Sequence, residues 1–381
     1  MRSCWSFSHI IGIGIGDNYN NPYGVPARRA YTGIWEMLSR GSFNGPGGPH
    51  SRWMIPATGG ASMGAQHMLR NKIKLEMVDE QNVLRLSREA LATSGVVIAN
   101  VTARTVQPDG LSGINIELGG AGDLPPPCDV NADPLCDGRG YQNYTLEVVD
   151  RMGTDSFTPD SGVLLAKTKN EDRAPFEWVV DANPQDINLT DTSCPTAPRS
   201  RSRSGTTANC RTRCSTPART RAASTSTPTP PTGCTSTSPN VHRDRQGTLS
   251  YTVAIRSLDG SGPQKRGVRV LPTVAKPAPN EVQTCNFQLT NTGEPGTASR
   301  HPEDVTPYLK GDVYRVSAKL NGKNWAISVP NALTTANAGQ QVTVPVYTKP
   351  GTSPVAKVTL TATSESDPTK QSTATCIVVK R

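Results

Sequence analysis

Aromatic side chains are scarce in this 381-residue chain: Phe, Trp and Tyr make up 5 % of it, and all apolar residues together 35 %. Long buried helices need more than that, so a helical bundle is excluded and short strands joined by many turns are favoured, as the 34 Gly and 32 Pro also indicate. No run of about eighteen apolar residues occurs, so no membrane span is expected. The opening IIGIGIG follows a single Arg and faintly imitates a leader. It is followed by DNYNN where a small-residue cleavage site is needed, so no signal peptide is expected in this chain. Missing too are GxSxG and any phosphate-cradling loop, because IGIGIG has neither the preceding strand nor the spacing of a dinucleotide fingerprint. The five His are scattered, with no HxxxH or HxH spacing, so His50 and His67 read as structural.

Charge is unevenly spread. The formal net charge is +9, but residues 191–245 hold nine Arg against only Asp191 and Asp244. The rest of the chain is close to neutral, which excludes an electrostatic footprint for nucleic acid. Of nine Cys, four fall in that same stretch. Cys4 stands alone, Cys128 and Cys136 form a close pair, and Cys285 and Cys376 a distant one. No double CxxC spacing marks a structural zinc site; pairs within strand and loop sequence favour disulfides and an extracellular destination.

The length suits two or three domains at about 150 residues each. Residues 1–80 read as Gly-rich loop leading into a helix over 62–75. Residues 81–190 read as a β-rich domain (VLRLS, GVVIANVTA, GINIEL, YTLEVV, GVLLAKT), a texture that returns over 246–275. Residues 276–381 contain six alternating strands with a Cys in the first and the last, suiting an immunoglobulin-like β-sandwich clipped by Cys285–Cys376. The fold class expected is α+β, mostly β.

Residues 191–240 contain no Val, Ile, Leu, Met, Phe, Tyr or Trp, and only nine residue types. Such a segment cannot offset the entropy of ordering, so 191–245 is expected to be a disordered low-complexity segment. It reads either as a Ser/Thr/Pro linker or as a frame-shifted stretch, since β texture stops before it and restarts after it. The second reading fits the interrupted strands better.

Zinc hydrolases of the HExxH type set two His one helical turn apart, with the Glu between them activating the bound water. A Gly then turns the chain toward a third ligand. Here His9 occupies the place of the second His, Gly12 that of the glycine and Asp17 that of the third ligand, while Trp5 and Ser6 stand where His and Glu are needed. With SHIIG, DNYNNPYG, GIWEMLSRGSF and KIKLEMVD in this order, the chain resembles secreted metallopeptidases related to immune inhibitor A, known from bacteria. The resemblance covers most of the chain beyond its first eight residues and the 191–240 stretch. It implies a zincin-like catalytic domain whose C-terminal part is residues 1–80, a zinc cofactor, and protein or peptide substrates. It also places Trp35 and Met37 as structural residues under the cleft. The chain departs from the family in having four residues between Gly12 and Asp17 where the family has two, and in the reversed order of Met37 and Leu38.

CDVNADPLCDGRG sets Asp129, Asn131, Asp133 and Asp137 at alternating positions, the spacing of a Ca²⁺ loop. The Glu that closes an EF-hand would fall at Gly140. A turn closed by Cys128 and Cys136 accounts for the same residues. The expectation is therefore a truncated or degenerate secreted zinc metalloendopeptidase, inactive as written because only His9 and Asp17 of the site are present. The alternative is a non-catalytic secreted β-sandwich protein that binds glycan or protein at a cell surface.

Overall fold

The computed structural model describes residues 32, 35–37, 65–107, 109–120, 122–123, 129, 139–158, 161–172, 176–180, 214–215, 227–228, 234–273, 282–297 and 300–380. It is mostly β, as the sequence predicts, and the strands form four sheets. The first ten strands are β1 (Val83–Ser87), β2 (Val97–Thr102), β3 (Gly113–Glu117), β4 (Asn143–Val149), β5 (Gly162–Thr168), β6 (Glu177–Val179), β7 (Cys214–Ser215), β8 (Thr227–Pro228), β9 (Cys234–Arg243) and β10 (Leu249–Ser257). One sheet runs β1-β3-β4-β5-β6 with β7 also on β5, and a second runs β2-β10-β9-β8.

Alternation explains how the two sheets meet. In β4, Tyr144, Leu146 and Val148 enter a core shared with Val97, Ala99 and Val101 of β2 and with Leu249, Tyr251, Val253 and Ile255 of β10. The intervening Asn143, Thr145, Glu147 and Val149 point to the opposite face. That face is covered as well, because every residue of β4 is buried. It is this second, polar face that carries the site described below.

Three sequence expectations are corrected here. The helix expected over 62–75 is the six-residue Leu69–Lys74; residues 62–64 lie outside those described. Met68 is the N-cap, with extended backbone at φ −72° and ψ 160°, and the amides of Gln66 and Met68 donate to carboxylates, Gln66 to Asp155 Oδ1 at 3.0 Å and Met68 to Glu36. The disorder expected over 191–245 is contradicted at 234–243, which forms β9 and pairs antiparallel with β10 from Cys234↔Ser257 to Arg243↔Leu249. A strand of Ser and Thr needs no large side chains of its own when its neighbour offers a full row of backbone partners. Finally, the strand β11 (Val268–Pro272) does not continue the first β-rich unit but pairs with β12 (Gln283–Asn291).

That pairing puts β11 in the C-terminal unit, with β13 (Gly311–Asn321), β14 (Ala326–Ser328), β15 (Leu333–Asn337), β16 (Gln341–Lys349), β17 (Val355–Ser364) and β18 (Gln371–Val379). Two four-stranded sheets, β11-β12-β16-β14 and β15-β13-β17-β18, share a core around Phe287, Val346, Tyr314, Leu360 and Val378. The expected disulfide Cys285–Cys376 is present, with an S–S distance of 2.05 Å, and joins β12 of one sheet to β18 of the other.

The C-terminal unit is clasped to the first by the chain between β12 and β13. Ser87, which caps the helix Arg88–Ser94, donates its backbone N–H to His301 Nδ1 at 3.0 Å, and His301 Nε2 meets Ser94 Oγ at 2.8 Å. An Nδ1 that accepts carries no proton, so the clasp requires neutral imidazole with its proton on Nε2. Arg85 N–H beside it donates to Glu303. Burial pushes His301 down from the usual 6.5 to about 4. A folded value below the unfolded one means that the contribution is present above pH 6.5 and fades as pH falls through about 4. Because the imidazole keeps partial exposure, screening reduces its worth to roughly 1–2 kcal/mol. Denaturant titrations at pH 7 and pH 4 should show His301→Gln losing less stability on acidification than the parent chain. Identical pH dependence would rule the clasp out.

Candidate functional site

Trp35 and Met68 lie against the outer face of the first sheet, in an apolar group with Val149, Leu164, Ala166 and Val179. Among them sits a cluster of charges that the chain alternation has sent to the same side. Arg104 stands just after β2, with its guanidinium fully buried. Its Nε donates to Asp155 Oδ2 at 2.7 Å and its Nη2 to Asp155 Oδ1 at 3.0 Å. Its Nη1 donates to Glu147 of β4, and Nη2 also reaches the carbonyl of Trp35 at 2.8 Å. Lys72, from the helix Leu69–Lys74, donates Nζ to the Arg104 carbonyl at 3.0 Å. Glu36 pairs with His67 Nδ1 at 2.7 Å and accepts from Met68 N–H with its other oxygen.

The electrostatics follow from burial opposed by pairing. Burial works against the Arg104 charge, yet Asp155 and Glu147 outweigh it and raise its pKa further. Burial raises Glu147, with Arg104 and Lys72 pulling it partly back. Burial lowers Lys72, and Glu147 offsets only part of that loss. For His67, burial favours the neutral ring, but the Glu36 carboxylate overrides it and raises the pKa. The result is a set of ions that hold one another in place.

What this arrangement does is fasten Trp35 and Glu36 to the sheet. The Trp35 carbonyl is held by Arg104, the Trp35 ring fills the apolar face, and Glu36 is tied to His67 and to the start of a helix. Met37, next along, is partly buried. Zinc needs several convergent donors and, for catalysis, an open position. Both oxygens of Glu36 are engaged, one of them on His67 Nδ1. Among the described residues, no three His, Cys, Asp or Glu side chains are grouped for metal binding.

Of the residues singled out from sequence, Trp35 is wholly buried in this floor and Met37 lies at its edge. Asp129 is exposed. His9, Asp17, Asn131, Asp133, Asp137, Cys128 and Cys136 lie outside the described residues. Sequence reasoning missed Glu36, Arg104, Glu147 and Asp155, and took His67 only as structural without its partner. One signal was present: a Glu inside the apolar run YTLEVV is costly to bury unless an ion faces it.

Residues 74–227 match a family described as a middle domain, and residues 268–380 match one described as a Peptidase M6-like domain. The second match begins at the first residue of β11, where strand pairing also places the boundary. A protein of Arthroderma benhamiae named "Putative secreted metallopeptidase" is 47 % identical over 384 residues, covering 98 % of this chain and 56 % of the relative. The chain thus spans a little over half the length of that relative, and along nearly all of itself it is similar to a protein so named.

Proposed function

We propose that this chain is a portion of a secreted metalloendopeptidase. On this reading it comprises the floor of the catalytic domain and two β units that follow it. The 47 % identity to the Arthroderma benhamiae protein across 98 % of the chain carries the proposal. The order of SHIIG, DNYNNPYG and GIWEMLSRGSF in the first 43 residues supports it. In such enzymes zinc polarises a peptide carbonyl and a Glu activates the attacking water. Here the residues that would serve are His9 and Asp17 as ligands, with Trp5 and Ser6 at the positions of the other His and the base. The role of Arg104, Glu147 and His67 is to hold Trp35 and Glu36 against the first sheet.

A zinc motif with one imidazole, at His9, and no neighbouring carboxylate base lacks the minimum for water activation. Purified protein of this sequence is therefore expected to release no peptides from casein with zinc added, with or without chelator, at the limit of a fluorescent-casein assay. Turnover that a chelator abolishes would overturn the inactive reading while leaving the peptidase family reading standing.

A further inference from the structure

We propose that the cleft between the helix Leu69–Lys74 and the outer face of the first sheet binds a short neutral glycan. The cleft encloses about 370 Å³, within the ~300–1,000 Å³ usual for small-ligand sites. Its floor crosses several strands, with Asn115 of β3, Asn143 of β4 and Asn170 just after β5, and Ile73 and Lys74 form the helical wall. This site is separate from the Arg104 cluster, and it stands whether or not the peptidase reading holds.

The floor is a ladder of amides. Asn115 Nδ2 donates to Asn143 Oδ1 at 3.3 Å, and Asn143 Nδ2 donates to Asn170 Oδ1 at 2.7 Å. Gln142 Oε1 in turn accepts from the Asn170 backbone N–H at 3.0 Å, while its Nε2 donates to Glu171 Oε2 at 3.3 Å. Each side-chain amide has two N–H groups and two acceptor sites, and the ladder uses only part of that capacity. Interlocking fixes the orientation of each amide in advance, so the remaining donors and acceptors line the cleft without further ordering cost. Asn115 and Asn143 are themselves largely buried, 8 % and 7 % exposed, which keeps their rotamers set.

Charge decides what such a floor recognises. Arg70 Nη2 and Lys74 Nζ both lie 2.5 Å from Asp172 Oδ1, and Arg85 faces Glu80 at 3.9 Å. An incoming anion would have to displace Asp172, and a cation would meet the two side chains already on it. The remaining charges of the lining, Lys169 and Glu117, are of opposite sign, and Glu171 lies on Gln142 Nε2, so neither sign of ligand is favoured. A peptide would need apolar recesses for its side chains, and Ile73 is the one large aliphatic residue among those that line the cleft. Sugar hydroxyls, like amides, donate and accept at once, so they match the unused capacity of the ladder without requiring either charge or apolar recesses.

The test is saturation-transfer NMR and calorimetry on the whole chain with maltotriose, cellotriose and chitotriose, and with an uncharged capped tripeptide as the comparison. At least one trisaccharide should bind, and Asn170→Ala and Gln142→Ala should each weaken it by about tenfold, the effect of one lost hydrogen bond. Asn170 is exposed, so its substitution leaves the fold intact. Three results would each overturn the proposal: no trisaccharide binding up to about 10 mM, trisaccharide binding untouched by both substitutions, or binding of the tripeptide alone. None of these outcomes bears on proteolytic activity.

Discussion

Replacing Arg104 with Met should destabilise the first β unit by about 3–5 kcal/mol, the range seen when one partner of a buried ion pair is removed. Three losses coincide. Glu147 and Asp155 lose the cation that both of them face, at an Arg side chain with no exposure at all. Lys72 cannot take over, because burial already lowers its own pKa and its Nζ is committed to the Arg104 carbonyl. The Trp35 carbonyl also loses its donor, so Trp35 is released from the sheet. Hydrogen exchange on the β4 amides reads this directly, as protection lost in the variant.

The same substitution has a pH signature. Without Arg104, burial leaves Glu147 with a folded pKa raised further above its unfolded value. Protonation then relieves the buried charge, so the penalty should shrink as pH is lowered through the acidic range and be largest above neutrality. Arg104→Lys restores the charge but not the fork that reaches Asp155, Glu147 and Trp35 together, and should fall between the two. If Arg104→Met changes β4 protection by less than about 1 kcal/mol, the cluster is not what secures Trp35 and Glu36.

Removing the Cys285–Cys376 bridge has the second large effect expected, about 2–5 kcal/mol on the C-terminal unit. The bridge closes a separation of 91 residues, and much of its worth is conformational freedom denied to the unfolded chain. It also ties together two sheets that otherwise meet through the shared apolar core and a few hydrogen bonds such as Gln283 Nε2 to the Val379 carbonyl. Cys285→Ala with Cys376→Ala would leave small cavities, since both residues are buried, so the parent chain under reductant is the matching control. The first unit's core is separate from the one that holds the bridge, although it takes in Val305 and Leu309 of the linking chain, so it should keep an unfolding transition of its own. Equal unfolding midpoints of oxidised and reduced protein would show that the bridge adds nothing to stability.

Much of the β architecture was legible along the chain. VLRLS, GINIEL, YTLEVV and GVLLAKT alternate or run apolar over strand length between turn residues, and β1, β3, β4 and β5 fall on them. The distant Cys pair sat in the first and last strands of a regular array, and the bridge forms there. The short helix Arg88–Ser94 escaped notice because REALATS shows a single turn of pattern, too brief to stand out from loop. β9 escaped because CTSTSPNVHR has almost no apolar signal; its reason for being a strand lies in β10, outside itself.

The site was less legible than the fold. Glu36 and His67 are separated by 31 residues, Arg104 and Glu147 by 43, and Arg104 and Asp155 by 51. Nothing in any window of the sequence couples them. What the sequence by itself determined is which residues alternate, where strands end and which cysteines can meet, because these follow from backbone period and turn chemistry within a few residues. Only the tertiary structure decided that one face of β4 would bury charge rather than shed it into water. That choice depends on which elements stack against the face, and the stacking sets the desolvation and the pairing that fix every charge in the cluster.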